Sequence, residues 1–207
     1  MQFIEFQNKL SVYRVFSLKD ILKMIPDFNR IQLDRWEKKN YLKKIKRGFY
    51  CFNAQELNQN FLFYAANKIY APSYVSLEIA LKYYGLIPEE IFQITSVSTK
   101  KTTSFETSVG NFSYRRIKPS LFWGYRLMDE GRHKLLLAEP EKAVLDYLYV
   151  NSKLKTADDF VGMRINVDEF RIHIDIDKFQ KYLGNFNNKQ LSKRANTFLT
   201  IIQNDNA

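Results

Sequence analysis

Apolar residues recur at helical spacing from Ser17 onward, where Leu18, Ile21, Leu22 and Ile25 form one face of a short helix, SLKDILKMI. Ser17 with Asp20 three residues on has the form of a capping box that opens it. Pro26 closes it, because the residue before a proline is pushed out of helical geometry. A second helix is predicted over FNRIQLDRWEKK, with Asp27 as its first candidate cap. Leu33 and Trp36, three apart, are expected to face inward together with Phe28 or Ile31. In YLKKIKRGFYCF the pattern shortens to two strands around a turn at Arg47-Gly48, anchored by Leu42, Ile45, Phe49 and Tyr50. Helix, turn, helix and basic hairpin in that order predict a winged helix-turn-helix.

Beyond a polar stretch, NAQELNQN at 53–60, the periodicities alternate. A helix over about 58–70 carries Phe61, Leu62, Ala65, Ala66 and Ile69, and Pro72 closes it. Ser76 is expected to cap LEIALKYYG, which Gly85 ends. Strand patterns occupy Phe92 to Lys118, with a turn at Val109-Gly110-Asn111, and continue through Trp123, Tyr125 and Leu127 and again over Lys134–Ala138. Pro140 then opens a helix with Ala143, Val144, Leu145, Leu148 and Tyr149. Two or three more helices follow, the last over about 188–203. The predicted class is α+β: a winged helix-turn-helix domain at 1–55 and a larger mixed α+β domain at 56–207. No internal repeat or low-complexity tract interrupts either.

Charge sharpens the first of these domains. The chain of 207 residues has a net charge of +10, and residues 1–55 hold 12 Lys/Arg against 5 Asp/Glu. The remaining 152 residues hold 20 against 17, so most of the excess lies in a quarter of the chain. A cation cluster of that kind attracts a polyanion, and nucleic-acid phosphate is the natural one. On the second helix the residues left over from the apolar face are Asn29, Arg30, Gln32 and Arg35, types that bond base edges or phosphates. On the hairpin Lys43, Lys44, Lys46 and Arg47 are expected to point outward to the backbone of the duplex. These eight residues are the candidate DNA-binding set. A lysine-rich edge strand also serves to block unwanted strand pairing, so the order of parts carries more than the charge alone.

Other chemistry is thin. Cys51 is the single cysteine, read as a small buried residue. With it, His133 and His173 would all be needed for three Cys/His zinc ligands. No GxSxG, GxGxxG or GxxxxGK[ST] occurs. Glu139, Glu141, Lys142 and Asp146 form an acid-rich cluster, in which Lys142 and Asp146 are expected to make a surface pair. A metal-dependent nuclease would need acids such as Glu106, Glu139 or Glu141 to converge. The Ser/Thr run TSVSTKKTTSFETS reads as a sheet face, with phosphate or partner binding as its alternative. No cofactor and no metal are expected. No run of about 18 apolar residues and no signal peptide are seen, so no membrane is expected as a partner and the cytoplasm is the expected location.

Three segments, SYVSLEIALKYYGLIPE at 73–89, TSVSTKKTTSFETSVGNFSYRRIKPSLFWGY at 95–125 and LLAEPEKAVLDYLY at 136–149, together resemble the AbiEi-type antitoxins, the abortive-infection regulators of type IV toxin–antitoxin operons. The middle segment is the most telling, with a Thr/Lys-rich strand, F-E-T, a Gly turn, F-x-Y-R and K-P in order. The resemblance implies an N-terminal winged helix that binds inverted repeats of double-stranded promoter DNA. It implies a C-terminal domain that counteracts a nucleotidyltransferase-like toxin, and no enzymatic activity. The expectation is therefore a cytoplasmic autorepressor and antitoxin. Its alternative is a winged-helix regulator or protein-binding module without a toxin partner.

Overall fold

A computed structural model describes residues 1–204; the last three positions of the predicted 56–207 domain lie outside the described residues. Helices α1 (Phe3–Leu10), α2 (Leu18–Met24) and α3 (Ile31–Lys38) surround a three-stranded antiparallel sheet of β1 (Phe16–Ser17), β2 (Leu42–Lys46) and β3 (Phe49–Phe52), in the order β1-β3-β2. The Ser17–Asp20 capping box forms as expected, with the Ser17 amide donating to the Asp20 carboxylate at 2.7 Å. Ile25 leaves helical geometry ahead of Pro26. The second helix starts later than predicted. Phe28 sits in the turn, and Asn29 rather than Asp27 supplies the local cap, its side-chain oxygen accepting from the Ile31 amide at 3.0 Å. Of the two inward candidates, Phe28 is buried and Ile31 is 60% exposed.

One helix precedes the segment read from sequence, and β1 begins one residue ahead of it. Phe3, Phe6 and Leu10 place α1 against the aromatic core of this module, with the Phe6 ring 4.7 Å from Trp36 and 5.3 Å from Phe28. Phe16, Leu42 and Tyr50 join that core from the sheet. The opposite face of the same sheet is also covered: Val15, Ile45 and Cys51 belong to the core of the larger body. The small sheet is thus a shared layer, which the alternation of side chains across a strand permits.

The body contains α4 (Gln59–Ile69), β4 (Ser73–Val75), α5 (Glu78–Tyr83), β5 (Gln93–Ser98), β6 (Thr103–Thr107), β7 (Gly110–Arg116), β8 (Tyr125–Glu130), β9 (His133–Ala138) and α6 (Pro140–Val150). Four helices follow rather than two or three: α7 (Ala157–Val161), α8 (Val167–His173), α9 (Ile176–Phe186) and α10 (Lys189–Asn204). The six strands run in the order β6-β7-β5-β4-β9-β8, mixed parallel and antiparallel. The class is α+β, as expected. Successive residues of β4 point to opposite faces: Ser73 bonds Ala66 of α4, and Tyr74 bonds Asp146 of α6. The sheet therefore lies between α4 and α6.

Several local expectations are corrected. Trp123 precedes β8 instead of lying in a strand. The β6–β7 turn falls at Ser108-Val109, because Gly110 already pairs with Thr107. Ser76 does not cap α5; its hydroxyl donates to Asp146, and Thr95 takes over the cap by accepting from the Ile79 amide at 3.1 Å. The helix begins at Glu78 with Leu77 in the cap position, so Ser76 lies one residue too early to serve.

Candidate functional site

Helix α3 has a sharply divided surface. Leu33 and Trp36 face the core, and the outward arc presents Ile31, Asp34, Arg35 and Lys38, with Arg30 at the helix start. Among the described residues neither Arg30 nor Arg35 has a carboxylate within ion-pair distance, leaving two guanidinium forks open to solvent. Gln32 lies on the flank and is half-buried, and Asn29 spends its side-chain oxygen on the cap. Ile31, expected inward as the alternative to Phe28, and Lys38, not singled out from sequence, both lie on this arc. Both follow once the helix phase is fixed by Leu33 and Trp36.

The hairpin behaves differently at each cation. Lys44 and Arg47 are exposed, and Lys43 is half-buried beside Cys51, its partner across the ladder. Gly48 sits at φ +83 with open space around it, a conformation that lets the chain turn tightly behind Arg47. Lys46 corrects the outward expectation. The register shifts between Lys44 and Lys46, and this bulge aims Lys46 at the body. Its ammonium donates to the Ile69 carbonyl at 3.1 Å and lies 3.9 Å from the Phe105 ring centroid and 5.3 Å from that of Tyr70. Burial, then Lys100, pushes the Lys46 pKa below its ordinary value. Ser108 donates to the Lys44 carbonyl at 3.0 Å, a second tie between hairpin and body. A third is Arg14, paired with Glu130 of β8 at 2.7 Å.

The acid-rich cluster on α6 also departs from expectation. Lys142 and Asp146 are both 0% exposed, where a surface pair was predicted. The reason is position: α6 is covered by the sheet on one side and by α9 and α10 on others, so it has no broad solvent face. Lys142 bonds Asp146 and the Tyr74 hydroxyl, and Asp146 accepts from Tyr74 at 2.8 Å and Ser76 at 2.9 Å. Rings of Trp123 and Phe186 close over the ammonium at 5.0 and 4.8 Å. Gly124, at φ +74, makes room for the Lys142 stem, since a Cβ there would come within 3.0 Å of it. Burial raises the Tyr74 pKa well above its ordinary value, and the adjacent carboxylate adds to the rise.

Glu139 and Glu141 meet at Lys178, and Glu106 does not join them. Glu139 accepts from Tyr182, and Glu141 accepts from the Asp175 amide at 3.1 Å, while Lys178 reaches both carboxylates at 3.5 and 3.1 Å. Glu106 lies on β6, at the far edge of the sheet from β8 and β9. Among the described residues no three His, Cys, Asp or Glu side chains come together to hold a metal. His133 packs at a tilt against Tyr64, their ring centroids 4.9 Å apart, and His173 lies 3.3 Å from Glu169. Burial pushes the Cys51 thiol up to about 11. The Ser/Thr run does line a cleft of about 590 Å³ with Thr102, Thr103 and Ser104, yet its one cation, Arg115, shares the lining with Glu78 and Glu90. No described helix is long and apolar enough to cross a membrane. A comparison with protein-family models and with curated proteins finds no match to the chain.

Proposed function

We propose that this chain is a DNA-binding regulator of its own operon and the antitoxin to a nucleotidyltransferase-like toxin. In this reading α2, the turn and α3 are a helix-turn-helix, and the β2–β3 hairpin is its wing. The observation that carries the DNA-binding half is the outward arc of α3, where Arg30 and Arg35 stand without acid partners beside an exposed Ile31. Arg forks suit guanine edges or phosphates, and an exposed aliphatic side chain suits a thymine methyl. Lys43, Lys44 and Arg47 are the hairpin cations assigned to the phosphate backbone; Lys46 is left out because it is bound to the body. The antitoxin half, and with it a cytoplasmic location, rests on the resemblance of 73–149.

The test of the first half is a gel-shift titration of the promoter. The double change Arg30→Ala with Arg35→Ala should weaken binding by about 1–3 kcal/mol for each base edge no longer read. Unchanged affinity would reject α3 as the recognition helix. The test of the second half is co-purification and rescue: the chain should protect cells from the product of a neighbouring nucleotidyltransferase-like gene. A protein that holds its promoter but neither binds nor restrains that product is a plain regulator.

A further inference from the structure

Five side chains and a single buried guanidinium line a small open cavity of about 240 Å³ far along the chain from the candidate DNA-binding face. Gln190, Lys193, Arg194 and Thr197 fall at i, i+3, i+4 and i+7 on α10, within an arc of roughly 100°. Ser152 and Lys155, from the loop between α6 and α7, form the other wall. The lining holds three cations and no acid.

Arg194 is the decisive residue. It is 9% exposed, and its Nη1 donates to the carbonyls of Leu148 at 2.7 Å and Asn151 at 3.1 Å, which fixes the plane of the guanidinium. A guanidinium has five N–H donors. The three on Nε and Nη2 have no acceptor among the described residues, and no carboxylate there pairs with Arg194, Lys155 or Lys193. A buried cation without a counter-charge is costly, and burial pushes the Arg194 pKa below its ordinary value. Asp159, one turn beyond Lys155, is directed at the backbone amides of Lys155 and Thr156 at 2.8 Å each. An oxyanion in the cavity would satisfy the open donors and neutralise the cluster.

The geometry points to a binding site for a phosphoryl group, held by the Arg194 fork, flanked by Lys155 and Lys193, with Ser152 and Gln190 as neutral donors. Arg presents two parallel N–H bonds to such a group, and charge-assisted bonds of this kind are roughly twice as strong as neutral ones. The volume lies below the range of about 300–1,000 Å³ that drug-sized ligands occupy, so the ligand is orthophosphate or the phosphate of a small ester. None of the candidate DNA-binding residues lines this cavity.

The test is titration calorimetry of inorganic phosphate, and separately of glycerol 3-phosphate, into the full-length protein at fixed ionic strength. Amide NMR shifts at Ser152 and Thr197 locate the site. Saturable one-to-one binding is expected. Lys155→Ala with Lys193→Ala, both exposed positions, should weaken it by at least about tenfold while leaving the fold intact. Lys101→Ala with Lys118→Ala, equally exposed but outside the cavity, should leave it unchanged. Tighter binding of phosphate identifies the free ion as ligand, and tighter binding of the ester identifies a phosphorylated small molecule. Absence of saturable binding in the millimolar range overturns the site, as does equal weakening by the two lysine pairs.

Discussion

Lys142 and Asp146 show how far a residue's role depends on what covers its helix. Their spacing is that of an exposed pair, but both are sealed between β4, α6 and the rings of Trp123 and Phe186. Removing one partner of a buried pair leaves the other uncompensated, which costs about 3–5 kcal/mol, whereas removing both together is far milder. Asp146→Asn should therefore lower the urea midpoint sharply, and the double change Lys142→Met with Asp146→Leu should recover much of the loss. Equal destabilisation by the single and double variants would mean that packing volume, not charge, dominates the site. Cys51 makes a second test. Its thiol pKa is raised from 9.0 to about 11 by burial, so the neutral form is favoured in the folded state. The resulting stability is complete below pH 9.0 and is lost as pH rises through about 11. Near neutral pH the folded protein should stay unmodified by iodoacetamide, as read by mass spectrometry, and react only when unfolded.

At the scale of the element, the proposed function divides the hairpin cations between DNA contact and docking on the body. Arg47→Ala should lower the slope of log affinity against log salt by about 1, the signature of one phosphate no longer neutralised. Lys46→Ala should leave that slope unchanged and instead destabilise the fold, by about 0.5–2 kcal/mol for a cation held against aromatic rings. A drop in slope for Lys46→Ala would return it to the DNA-facing set. The sequence could not separate the two, because the separation comes from a bulge at Lys44–Lys46 and from Phe105, far away in the chain. What was legible is what local chemistry decides. The Ser17–Asp20 cap, the stop at Pro26, the inward Leu33 and Trp36, and the helix opened by Pro140 depend on neighbours within a turn or two. Ser76, Lys142 and Asp146 were misread because their partners meet only after β4 and α6 cross. Arg194 and its cavity gave no signal at all, since the carbonyls that orient it belong to residues more than forty positions earlier.

For the whole molecule the small sheet matters most, because both of its faces are buried. Phe16, Leu42 and Tyr50 serve the N-terminal core, while Val15, Ile45 and Cys51 serve the body. Fully burying a Val or Ile side chain is worth about 1.5–3 kcal/mol each. Cutting the chain near residue 55 would expose Val15 and Ile45 at once, a loss of about 3–6 kcal/mol against a typical domain stability of about 5–15 kcal/mol. It would also cut Arg14 from Glu130 and Lys46 from Ile69. A fragment of residues 1–55 should therefore fail to show the near-ultraviolet signal of packed aromatic rings. In the intact chain, far- and near-ultraviolet circular dichroism should melt together in one transition. Two separated transitions, or a folded fragment, would mean that the shared sheet contributes little to the coupling.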